Sequence, residues 1–108
     1  MGKKKSLVLK LQQFAQQISK DYPLHKMILF GSQATGKKHQ NSDVDLIIVS
    51  KKFEGIERLN RAPDLYLRWD LDYPVDILCY TQKEFNRKKK FIGIVQQAVK
   101  EGIEIKAG

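Results

Sequence analysis

Between Met27 and Val49 the chain reads MILFGSQATGKKHQNSDVDLIIV, with an apolar run at each end and very little to join them. The runs KMILF and VDLIIV have the length and residue types of buried strands, and the 12 residues from Ser32 to Asp43 between them are polar or small. A third run of the same kind, VDILCY, occupies positions 75 to 80. Three strands of this kind bound the chain to a sheet-based domain, and the helical spacing elsewhere makes it α/β or α+β.

Leu7, Leu11, Phe14, Ala15 and Ile18 recur on one helical face, with Ser6 as a candidate N-cap and Tyr22-Pro23 beyond the end, so a first helix is expected over about 6 to 20. From Ser50 to Asp72 the pattern is broken by Pro63, and one short interrupted helix is expected there. Thr81 and Glu84 form a capping-box pair opening a last helix through Phe85, Ile92, Val95 and Val99 to about Glu101, where Gly102 is placed to stop it. The IEI segment adds a short final strand. At 108 residues the chain is expected to be a single domain, 1–108, with a modest core.

The single cysteine, Cys79, excludes an internal disulfide and a cysteine-based zinc site, and its apolar surroundings make it a core residue. No apolar run reaches the roughly 18 residues of a membrane span, and Lys10 and Gln12 interrupt the N-terminal run that a signal peptide would need, so a cytoplasmic location and no membrane partner are expected. The formal charge of +8 favours anionic partners without choosing among nucleotides, nucleic acid and acidic proteins.

Two phosphate-binding readings compete for the central loop. Gly31 to Lys37 spells G-x-x-x-x-G-K, but a P-loop needs Ser or Thr after the lysine and a helix behind it. Here Lys38 follows Lys37, and the chain enters another strand within a few residues. The second reading is Gly31-Ser32, ten residues, then Asp43-Val44-Asp45. Two residues apart on a strand, Asp43 and Asp45 leave the same face while Val44 and Leu46 point into the core. Their mutual repulsion calls for a cation between them, and magnesium, held by one or two carboxylates plus substrate phosphates, suits these hard oxygen donors.

Asp76 stands between Val75 and Ile77 in the third strand. Were that strand to lie beside the second, three carboxylates would converge, enough for two metals clamping the attacking and leaving oxygens of a phosphoryl displacement. Gly31 removes a side chain where phosphates approach the backbone, and Ser32 offers an amide and a hydroxyl to them.

Taken together, Gly31-Ser32, Asp43-Val44-Asp45 and Asp76 resemble the signature of the minimal nucleotidyltransferases of the DNA polymerase beta superfamily, over essentially the whole chain. The resemblance implies a nucleotidyltransferase fold, a small mixed β-sheet flanked by helices. It further implies two Mg2+ ions and a nucleoside triphosphate such as ATP at the carboxylates. Asp43 and Asp45 would ligate the metals, Asp76 would complete the site near an acceptor hydroxyl, Gly31 and Ser32 would hold the β- and γ-phosphates, and pyrophosphate would leave. Thr35 stands where many members carry an arginine, so a phosphate-contacting cation is either missing or supplied by Lys37 or Lys38. Several relatives are antitoxins that transfer AMP to a tyrosine of a helical HEPN toxin. The implied acceptor is therefore a partner protein or tRNA, and a homodimer or HEPN-type partner would complete the small core.

Three functions follow: a magnesium-dependent transferase, a weakly active or inactive domain that neutralises a partner by binding, and a basic nucleic-acid binder. The last needs stacking aromatics among the lysines, whereas Phe85 and Phe91 around Arg87 to Lys90 are expected on the core face of a helix. His25 and His39 lack a second ligand at metal spacing and are expected at the surface. Trp69, Tyr66 and Tyr73 are expected to pack over the sheet, and Tyr80, closing the third strand, is a candidate nucleotide contact.

Overall fold

The computed structural model describes residues 3–36 and 43–107. Lys37 and Lys38, expected near the phosphates, and His39, expected at the surface, lie outside the described residues. Strands β1 (Leu24–Phe30), β2 (Val44–Ser50), β3 (Val75–Tyr80) and β4 (Ile103–Glu104) form one sheet in the order β3-β2-β1-β4. β1 runs antiparallel to β2 and to β4, while β3 is parallel to β2, so the sheet is mixed as expected.

Alternation along the strands divides the core into two layers. On one face Met27, Leu29, Val44, Leu46, Ile48, Ile77 and Cys79 pack with Leu7, Leu11, Phe14 and Ile18 of helix α1 (Lys3–Ile18) and with Leu65 of α3 (Pro63–Arg68). On the other, Ile28, Ile47, Val49 and Tyr80 meet Phe85 of α4 (Gln82–Lys88) together with Val95 and Ala98 of α5 (Ile94–Glu101). Helices therefore cover both faces, which is why β2 reads as an almost unbroken apolar run.

Helix α1 begins at Lys3, ahead of the expected start, so Ser6 lies within the helix and is not its cap. The expected helix between Ser50 and Asp72 becomes two single-turn 3-10 helices, Lys51–Phe53 and Arg58–Asn60, followed by α3. Pro63 opens α3 from its first turn, where a missing N–H costs nothing. Trp69 packs edge-on against Phe14 and donates its indole N–H to the Tyr73 carbonyl at 2.8 Å. Tyr66, by contrast, is 42% exposed, and its hydroxyl accepts from the Ile77 amide at the open edge of β3.

The expected continuous helix from Thr81 to Glu101 is two helices. Its capping box is present, with Thr81 Oγ1 accepting from the Glu84 amide and Glu84 accepting from the Thr81 amide. The helix stops at Lys88, and the chain turns through Lys89 to Gly93 before α5 starts. Phe91 and Ile92 are consequently 65% and 97% exposed, and Val99 is 48% exposed, so none of the three forms the core face assigned to them. The turn sets Phe85 of α4 and Val95 and Ala98 of α5 on the sheet from two separate helices. Gly102 does close α5: a Cβ there would come within 2.4 Å of the Ala98 carbonyl and 2.8 Å of the Leu29 carbonyl.

Candidate active site

β1 ends at Phe30, directly across from Asp45 on β2, and Asp45 is in register with Asp76 on β3. Phe30, Asp45 and Asp76 thus form a row across three strands on the face that α4 and α5 cover further along. Asp43 precedes β2 and is exposed, and Val44 and Leu46 are fully buried on the opposite face. The parallel pairing of β2 with β3 brings the two strand aspartates together, and it was the one condition the sequence reading left open.

Gly31 takes a left-handed φ of 75°, a conformation that L side chains rarely adopt. A Cβ at Gly31 would stand 2.3 Å from Asp45 Oδ2, so the bare backbone leaves the space that this carboxylate occupies. The chain then turns at once into α2 (Ser32–Thr35), a single helical turn that no apolar spacing announced; it closes with the Gly36 amide donating to the Ser32 carbonyl at 3.1 Å. Buried Ala34 pins it to the core, while Ser32 and Gly31 remain half-buried beside Asp45.

The electrostatics follow from this crowding. Burial first, then Asp76 and then Asp43, raise the Asp45 pKa above the ordinary carboxylate value. Both of the other carboxylates therefore act on Asp45 at the strand ends. Among the described residues, no three His, Cys, Asp or Glu side chains close into a group that could hold a metal ion as they stand. The donors nonetheless suit a hard divalent cation: they are carboxylate oxygens, they repel one another, and Gly31 leaves one of them a cradle that a Cβ would fill.

Next to the row opens a cleft of about 430 Å³, lined by Phe30, Gly31, Ser32 and Thr35 on one side and by Ile94, Gln97 and Glu101 of α5 on the other. It is large enough for part of a nucleotide and shares Gly31 and Ser32 with the carboxylate cluster. Tyr80 takes no part in this site. It is buried, pairs with Val49 at the opposite end of β3 from Asp76, and belongs to the second core layer.

The sequence reading missed Arg61. Its side chain is buried under the 3-10 turns, donates to both Glu84 oxygens at 2.7 and 3.2 Å, and also bonds the carbonyls of Ile56 and Cys79. These partners place it in the frame that carries α4, and nothing in the spacing around Arg61 signalled it. Cys79 is a buried core residue as expected, its thiol pushed up to about 12 by burial.

The model of the nucleotidyltransferase domain family matches residues 11–104. The chain belongs to the nucleotidyltransferase domain family. Among solved structures, it is similar to a candidate nucleotidyltransferase from Sulfolobus solfataricus, 21% identical, covering 96% of this chain and 87% of that chain with a TM-score of 0.60. It is similar also to a toxin–antitoxin crystallised with AMP-PNP, 24% identical over 90% of this chain and 73% of that one, TM-score 0.54. A mutant of the toxin–antitoxin MntA-HpeT is 22% identical, over 94% of this chain and 73% of that one, TM-score 0.56. At these identities the likeness lies in the fold. No curated protein matches the sequence. Among the described residues of this nucleotidyltransferase domain, no helix is long and apolar enough to cross a membrane.

Proposed function

We propose that this domain binds a magnesium–nucleoside triphosphate complex, with ATP as the substrate, and transfers the nucleotidyl group to an acceptor hydroxyl. The observation that carries the reading is the placement of Asp45: against bare Gly31, in register with Asp76, and with its proton affinity raised by burial and by both neighbouring aspartates. Asp43, Asp45 and Asp76 would hold Mg2+, which when bound neutralises phosphate charge and polarises the phosphorus under attack. Gly31 and Ser32 would receive the β- and γ-phosphates at the mouth of the cleft, with Lys37 as the added cation. Asp76, the more exposed of the two strand aspartates, would accept the proton of the acceptor hydroxyl. The acceptor oxygen forms its bond to the α-phosphorus as the bond to the bridging oxygen breaks, and pyrophosphate leaves with that electron pair. Positioning and charge neutralisation supply the rate, with no covalent intermediate on the chain.

A second reading draws on the toxin–antitoxin neighbours, one of which was crystallised with AMP-PNP. In it, the domain neutralises a HEPN-type partner by binding it or by transferring AMP to it. The two readings separate in one assay. α-Labelled ATP is incubated with the domain and with candidate acceptors, co-encoded proteins and tRNA, and the acceptors are examined for label. Transfer from the α-position that disappears in Asp43→Asn and Asp45→Asn supports the transferase. Label that reaches the acceptor from γ-labelled ATP in a parallel incubation, and not from the α-labelled nucleotide, would overturn nucleotidyl transfer, and partner inhibition that persists in both mutants without transfer would favour neutralisation by binding.

A further inference from the structure

The turn between α4 and α5 exposes Phe91 at 65%, Ile92 at 97% and Ile94 at 58% in one short segment. Single exposed apolar residues are ordinary, but three within four positions form a patch that buries nothing of the chain's own core. Arg87, Lys88, Lys89 and Lys90 precede it directly, and the one acidic residue from Gln82 to Ile94, Glu84, is held by Arg61. The patch is also concave. A groove of about 440 Å³ runs between Tyr80 and Lys88 on one side and Ile92 to Ile94 on the other. Ile94 lines both this groove and the cleft beside Gly31 and Ser32, so the two are neighbours across that residue.

We infer that this elbow is a docking surface for a partner protein presenting an apolar side chain within an acidic rim, and that docking sets the partner on the lip of the nucleotide cleft. Charge chooses the occupant. A second copy related by a two-fold axis would press Arg87 to Lys90 against themselves, which like-charge repulsion opposes. Nucleic acid would find a stacking face on Phe91, exposed beside the four cations, but would leave the aliphatic Ile92 and Ile94 uncovered. A flat anionic membrane would match the charge and the apolar tip but would leave the groove unfilled. A protein knob fills the groove, and its acidic rim meets the four cations. The docking surface stands without the nucleotidyl-transfer reading; the delivery of an acceptor to the cleft rests on it.

The test uses an amphipathic helical peptide with leucines along one face flanked by glutamates, a charge-reversed version with lysines, and the full chain labelled for amide NMR. The acidic peptide is expected to shift the amides of Arg87 to Val95, the lysine peptide to leave them unmoved, and affinity to fall about tenfold as ionic strength rises from about 0.05 to about 0.5 M. Ile92→Asp, at a position the core does not use, is expected to weaken the acidic peptide at least tenfold while magnesium–ATP binding stays at the wild-type level. Equal binding of both peptides, equal binding by the Ile92→Asp variant, or no binding of the acidic peptide would overturn the inference. So would anionic phosphatidylglycerol vesicles or a single-stranded oligonucleotide binding the elbow in the peptide's place, or self-association of the wild type that Ile92→Asp abolishes. A chain that binds the acidic peptide at the elbow but no triphosphate would keep the docking surface and lose only acceptor delivery.

Discussion

Gly31 and Asp45 share one small volume, and that makes both of them testable residue by residue. Gly31→Ala puts a Cβ at a φ of 75° and 2.3 Å from Asp45 Oδ2. The carboxylate can swing away, so the fold survives at a cost of about 1 kcal/mol for the left-handed backbone, a fall in Tm of roughly 4–8 °C for a domain near this size. The displaced Asp45 no longer meets its partners, and magnesium–ATP affinity should drop at least about tenfold, which a titration beside a melting curve would show. Unchanged affinity would mean that the cradle has no part in binding. Asp45→Asn probes the charge alone. The folded-state pKa of Asp45 is raised above its ordinary value, so its ionised form opposes folding. That penalty is fully present above the folded pKa and vanishes as pH falls through it. Asp45→Asn should therefore match or exceed the wild-type Tm at neutral pH, with the difference shrinking on acidification, and a lower Tm at neutral pH would contradict this account.

Among the elements, the joint between the 3-10 turns, the end of β3 and α4 is held by polar contacts. Arg61 reaches three parts of the chain at once: the Ile56 carbonyl, the Cys79 carbonyl and Glu84. The hydrogen bond from Arg61, with help from the Thr81 amide, holds the Glu84 carboxyl down at about 2. Because this folded pKa is depressed, the stabilisation is present above the ordinary glutamate value and is lost as pH falls towards about 2. Arg61→Ala should cost about 3 kcal/mol in urea unfolding at neutral pH, since it leaves a half-buried carboxylate and a buried carbonyl without their donor. A loss below about 0.5 kcal/mol would place Arg61 among ordinary surface residues. The strands were legible because apolar runs bounded by glycine, proline and polar residues have few other uses, and the Thr81–Glu84 box was legible because its chemistry is local. Arg61 was not, since its partners lie up to 23 residues away and only the folded chain brings them within reach. The break after Lys88 was hidden for a related reason. Ile92 continues a helical stripe with Phe85 and Val95, and only the folded chain shows the turn through Lys89 to Gly93 that leaves Ile92 exposed.

For the whole molecule, the order β3-β2-β1-β4 is what turns separate motifs into a site. It sets Asp76 on one side of Asp45, Phe30 and Gly31 on the other, and α5 across the cleft from Gly31. The sequence pointed to Asp76, Asp45 and Gly31, but neither to Phe30 nor to α5, whose Ile94, Gln97 and Glu101 line the cleft without any motif of their own. Tyr80 went astray because position along a strand, and not membership of it, decides which end a side chain serves. The basic balance of +8 agrees with an anionic substrate but distributes its cations far beyond the cleft, at the α4–α5 elbow above all. The central claim is that the carboxylate row and the Gly31-Ser32 turn together hold a magnesium–nucleotide complex. Titration calorimetry of the wild type and Asp45→Asn with ATP, with and without magnesium, tests it most directly. The account predicts binding by the wild type that requires magnesium and is lost in Asp45→Asn; ATP binding that is equal in both proteins and indifferent to magnesium would contradict it.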